Sequence, residues 1–139
     1  MQTFLPYKDF AQSAAVLDRQ RLGKQRVETL QVMNALIDPM YGWRNHPAVK
    51  MWRGYASALL RYQEAVCNEW TSRGYKDTCL DKTRLAVAQS GLMLDDIMPD
   101  WLGNEDIHRS HRSNLLRKFP EHYAQYFDDV DNLEYVWPV

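Results

Sequence analysis

The chain has 139 residues, 45% of them apolar and 25% charged, and its formal net charge is −1. This length can bury a core without disulfides or metals, the composition excludes disorder, and no apolar run approaches the roughly 18 residues of a membrane span. The N-terminus carries no charged-then-apolar leader, and Cys67 and Cys79 lack C-x-x-C spacing, so we read one domain over residues 1–139, monomeric and cytoplasmic, with free thiols.

The first helix is expected from about Phe10 to Leu36, with Asp9 as cap and no proline inside. Its second half is amphipathic, with Val27, Leu30, Met33 and Ile37 at helical spacing. Gly23 interrupts the charged middle, where a glycine signals a close approach to the backbone. The segment DPMYGWRNHP reads as a loop. Pro47 then opens a second helix, capped by Asn45 or His46 and running to Arg73 before Gly74. Ala48, Trp52, Tyr55, Leu59, Tyr62, Val66 and Trp70 form one stripe, read as packing. A weaker helix over 80–91 precedes a long loop over 92–103. A helix over 104–118 and a short helical turn from Pro120 complete an all-α fold of three to four helices around one core.

The near-neutral sum hides segregation. Arg19, Arg21, Lys24 and Arg26 lie close together with no acid between them, and so do Arg109, Arg112, Arg117 and Lys118. Acids gather over 95–106 and in the C-terminal tail. A polyanion feels such local fields rather than the net charge; solvated helix faces give the same pattern. The helix over 104–118 is polar nearly all round and needs a partner on its polar face. His108 and His111 share a face but find no third and fourth ligand at zinc spacing. The DDVDNLE tail lacks the central glycine of a calcium loop. Neither a metal nor a cofactor is expected. In the first helix Arg21, Lys24 and Glu28 lie at i, i+3 and i+7, hence on one face. One carboxylate among cations suits either a surface ion-pair network or a charged site.

The segment LDRQRLGKQRVETL, from Leu17, resembles the first helix of the phage-type pyrimidine-dimer DNA glycosylases of UV-damage repair. Gln20, Arg21 and Leu22 match the family's Gln-His-Leu with arginine for histidine, and Glu28 follows at the family spacing. YASALLRYQEAVCNEWTSRGY resembles its central helix and HRSNLLRKFPEHYAQYF its C-terminal helix and aromatic tail. The resemblance implies a compact, metal-free, cofactor-free all-α enzyme that binds double-stranded DNA at a lesion and displaces a base. An N-terminal α-amine attacks C1′, a glutamate assists at the sugar, and the Schiff base permits β-elimination. Carried onto this chain, Met1 and Glu28 are the catalytic pair. Arg19, Arg21, Lys24, Gln25, Arg26, His108, Arg109, Arg112, Arg117 and Lys118 are the DNA contacts. The chemistry is sound in itself, because α-amines lose their proton well below lysine and attack at neutral pH without burial. A carboxylate beside the sugar stabilises positive charge at C1′. Gln2 stands where the family exposes a threonine, so either Met1 supplies the amine or the lyase step is altered or lost. A non-catalytic duplex-DNA binder and a module for an acidic protein partner are the rival readings.

Overall fold

A computed structural model describes residues 1–139 as seven helices with no strand. Two expected long helices are each divided, which raises the count above three to four. The first divides at Leu17–Asp18 into α1 (Phe10–Val16) and α2 (Arg19–Ile37). Asp9 caps α1 by accepting from Gln12 N–H, and Asp18 caps α2 by accepting from Arg21 N–H. Asp18 is held from a distance, since the Tyr123 hydroxyl donates to its carboxylate at 2.5 Å and accepts from its N–H at 3.0 Å. Burial opposes ionisation of Asp18, but these bonds and Arg21 outweigh it and lower its pKa.

The second long helix divides into α3 (Pro47–Lys50) and α4 (Ala56–Ser72). His46 caps α3, its Nδ1 accepting from Ala48 N–H at 3.0 Å. Gly54, at φ 87°, turns the chain between them in a conformation L side chains avoid. The expected stripe survives this break: Ala48, Trp52, Leu59, Tyr62 and Val66 are buried, and Tyr55 and Trp70 partly so. Trp52 stacks on Tyr62 and meets the edge of Trp101 at 5.1 Å. Helices α5 (Cys79–Ser90), α6 (Glu105–Lys118) and α7 (Pro120–Tyr123) fall close to their expected bounds. All seven helices contribute to one core cluster. The approach to Gly23 is the Trp70 indole, whose Cη2 would lie 3.1 Å from an added Cβ. No helix is long and apolar enough to cross a membrane.

The N-terminal residues run extended through the middle of this helical frame. Gln2, Thr3, Phe4 and Leu5 are all buried without belonging to any helix. Their backbone groups must find partners, and side chains of three helices supply them. Gln25 of α2 acts as a strand would: its Nε2 donates to Gln2 O at 2.7 Å and its Oε1 accepts from Phe4 N–H at 2.9 Å. Tyr62 of α4 donates to Phe4 O, and Trp52 Nε1 donates to the Thr3 hydroxyl. On α6, His111 Nδ1 accepts from Leu5 N–H at 2.9 Å and His108 Nδ1 donates to Leu5 O at 2.8 Å.

The same helix holds the C-terminal tail. Ser113 and Ser110 accept from the N–H groups of Leu133 and Val136, and Asn114 donates to Leu133 O. The partner that the polar face of α6 requires is therefore the chain's own two ends.

Candidate active site

Threading the N-terminus across α2 sets Met1 beside Glu28. Gln2 N–H donates to Glu28 Oε2 at 3.2 Å, and Gln25 Nε2 donates to the same oxygen at 3.0 Å. Glu28 Oε1 makes no hydrogen bond within the protein, and Glu28 forms no ion pair. This is not the surface ion-pair network that the spacing also allowed. The carboxylate is instead oriented by two neutral N–H donors, which fix its position while leaving one oxygen free.

Met1, Gln2, Phe4, Gln20, Arg21, Lys24, Glu28, Lys118 and Tyr135 line a cavity of about 280 Å³ there. The wall has one acid and three side-chain cations, Arg21, Lys24 and Lys118, the last arriving from the end of α6. Arg21 also pairs with Asp18 at 3.2 Å. Lys24 and Lys118 are exposed and have no acidic partner. On the outer side of α2, Arg19, Gln20, Gly23, Lys24, Glu28 and Trp70 border a second, open groove.

The remaining expected contacts have other partners. Arg26 donates to Asp77 at 2.7 Å and lies over the Trp70 ring at 4.4 Å. Asp77 in turn accepts from Cys79 N–H and Leu80 N–H at the start of α5. Gln25 is 1% exposed and has both amide protons engaged. His108 is buried, with Gly103 N–H bonded to its Nε2. Arg112 pairs with Glu105 and Asp129 and donates to Pro6 O. Arg117 grips the tail through Asp131 O and Leu133 O. Arg109 is exposed but does not line the cavity. Within the protein, then, Gln25, His108, Arg112 and Arg117 spend hydrogen bonds on structural partners, and Arg26 spends its guanidinium on Asp77 and the Trp70 ring.

One aromatic residue that spacing did not point to lines the site, and a histidine lies outside the lining but feels its charges. Tyr135 of the tail lines the cavity; burial raises its pKa to about 12, with Arg117 and Arg21 pulling down and Glu28 pushing up. His46 has its pKa lowered first by burial and then by the N-terminal amine, with Glu28 opposing. It therefore sits within the electrostatic reach of both groups. Because Nδ1 accepts from Ala48 N–H, its neutral form carries the proton on Nε2. Its ring packs edge-on to Trp43 and Trp137. From the sequence His46 was visible only as a helix cap.

A family model described as pyrimidine dimer DNA glycosylase matches residues 1–83. The chain belongs to the pyrimidine dimer DNA glycosylase family. The matched segment runs from the N-terminal amine through α4 and includes Gln2, Gln25, Glu28 and His46. Membership in a DNA glycosylase family makes DNA the substrate class. No curated protein and no solved structure matches the chain. No group of three or more His, Cys, Asp or Glu residues gathers to hold a metal ion.

Proposed function

We propose that this protein excises a damaged pyrimidine from double-stranded DNA and cleaves the abasic strand through a covalent amine intermediate. The observation that carries the reading is the shared cavity of Met1 and Glu28, walled by Arg21, Lys24 and Lys118. The α-amine of Met1 attacks C1′ of an extruded nucleotide. Glu28, held by Gln2 N–H and Gln25, faces the sugar with its free oxygen and stabilises positive charge at C1′. The cations hold the flanking phosphates. Ring opening gives a Schiff base, whose electron-withdrawing nitrogen acidifies C2′ and permits β-elimination of the 3′ phosphate. We read the protein as a monomer; its two thiols are free and buried, with pKa values raised by burial, which fits a reducing compartment.

The test is borohydride trapping on duplex oligonucleotides carrying a pyrimidine dimer, in EDTA. A covalent protein–DNA adduct whose cross-linked peptide contains Met1 is expected. Base release with no adduct replaces the amine by water. Tight duplex binding with neither product makes the protein a non-catalytic binder.

A further inference from the structure

Four buried side-chain polar atoms have no hydrogen-bond partner: Gln2 Nε2, Arg26 Nε, Gln63 Oε1 and His111 Nε2. Only Gln2 belongs to a residue lining the cavity of Met1 and Glu28. Its orientation is not arbitrary. The Thr3 N–H donates to Oε1 at 2.8 Å, so the amide oxygen must face that group and the nitrogen must face away. Gln2 is 5% exposed, and its Nε2 has already lost its water without gaining an acceptor. Gln25, one layer below, shows the contrast: both its protons are donated, to Gln2 O and Glu28. An unpaired donor is a standing cost in the free protein. The cavity wall is otherwise dominated by donors and cations, with Glu28 as its one carboxylate. Such a wall fits a ligand rich in acceptors.

Resting on the glycosylase reading above, we propose that Gln2 is a catalytic residue whose Nε2–H donates to O2 of the departing pyrimidine. The amine lone pair forms the N–C1′ bond, and the C1′–N1 electron pair leaves with the base. N1 is bonded to the C2 carbonyl, so the negative charge spreads onto O2. The proton shed by the newly bonded amine neutralises the displaced base, which stays joined to its neighbour through the dimer's ring, and no oxidant or reductant enters. O2 lies on the same side of the ring as the glycosidic bond. The amine attacks C1′ from the face opposite the base, while O2 overhangs C1′ from the leaving side, so the group that serves O2 is a neighbour of the amine and not the amine itself, and Gln2 is the next residue in the chain. Its backbone N–H is also tied to Glu28, so one residue orients the carboxylate and serves the leaving group.

The experiment compares two substrates. A pyrimidine-dimer duplex requires the base to leave. A duplex with a preformed abasic site requires only amine attack on the sugar aldehyde. Gln2→Met and Gln2→Glu remove the donor and keep a large second residue, so Met1 is retained, as intact mass will verify. Gln2→Glu also keeps an acceptor for Thr3 N–H and serves if Gln2→Met does not fold. The single-turnover ratio of glycosidic-bond cleavage, read after photoreversal of the dimer, to abasic-site trapping is expected to fall about thirtyfold in both variants. An unchanged ratio overturns the proposal: equal losses on both substrates make Gln2 structural, and no loss makes its amide idle. If the unaltered protein traps neither substrate, the glycosylase reading itself fails and takes this role with it.

Discussion

The basic clusters of α2 and α6 look alike in sequence, each with four cations and no intervening acid. Folding separates them. On α2, Lys24 faces the cavity unpaired, Arg19 borders the outer groove and Arg21 does part-time duty with Asp18. On α6, Arg112 is neutralised by Glu105 and Asp129, acids from the helix's own first turn and from the tail. Arg117 holds tail carbonyls. Only Lys118 of that cluster reaches the cavity. A charge cluster thus reports on a binding surface only after the acids that fold against it are subtracted, and those acids include near neighbours such as Asp18 and Glu105 as well as the more distant Asp77 and Asp129.

The sharpest way to break this contrast is to exchange one residue from each side. Glu28→Gln keeps shape and keeps an acceptor for Gln2 N–H, but removes the charge facing the sugar. Base release should drop by at least about a hundredfold while duplex binding is kept or strengthened and thermal stability barely moves. Arg112→Ala should do the reverse. It leaves Asp129, whose side chain is only 15% exposed, without its partner and frees Pro6 O. A decrease of about 3 kcal/mol in unfolding free energy is expected. Denaturant titration and single-turnover assays on both variants decide it. A stable Arg112→Ala protein with weakened DNA affinity would erase the distinction between the clusters.

What the sequence revealed follows a physical line. Helices α6 and α7 were legible because Asn104 and Pro120 mark their starts locally, whereas α5 showed only as a weak pattern over 80–91. The shared face of Arg21, Lys24 and Glu28 was legible because helical spacing alone determines it. The close approach at Gly23 was legible as well, though not its source in Trp70. The break at Asp18 was hidden, because its capping geometry is enforced by Tyr123 across the fold. The extended N-terminal segment was hidden for a similar reason. Its backbone is satisfied by side chains of Gln25, Tyr62, His108 and His111 rather than by a ladder, and no periodicity announces that. Gln2 read only as a departure from a family pattern until its neighbours were known.

Acid sharpens the comparison further, because the inner face of α6 carries two neutral histidines. Burial lowers the pKa of His108, and burial with the nearby His108 takes His111 down to about 3. Geometry agrees: Nε2 of His108 accepts from Gly103 N–H and Nδ1 of His111 accepts from Leu5 N–H, so a second proton on either ring would meet a donor. The unfolded chain binds these protons near pH 6.5, the folded chain only below that. Stability from this source is therefore present above about pH 6.5 and is lost as pH falls, by up to about 1.4 kcal/mol per unit for His111. His111→Asn, which keeps an acceptor for Leu5 N–H, should flatten the decline between about pH 6.5 and 4. An unaltered slope in that variant would place the acid sensitivity elsewhere, with His108 and His46, whose pKa values burial also lowers from about 6.5, the next candidates.

The smallest expected effect is a change in salt dependence. Removing one cation that neutralises a phosphate should flatten the slope of log affinity against log salt by about 0.9. Lys24→Ala and Lys118→Ala remove cations that line the cavity and have no acidic partner. Each should therefore flatten the slope by about that amount, and the double variant by about twice as much. Arg109→Ala removes an equally exposed cation outside the cavity and should leave the slope within error. Arg26→Ala should leave the slope nearly unchanged and reduce stability instead, since its guanidinium is spent on Asp77 and Trp70. Fluorescence anisotropy on one duplex across a salt series resolves these slopes. If Arg109→Ala flattens the slope while Lys24→Ala does not, the duplex lies along the outer face of α6 and the cavity of Met1 and Glu28 is not its path.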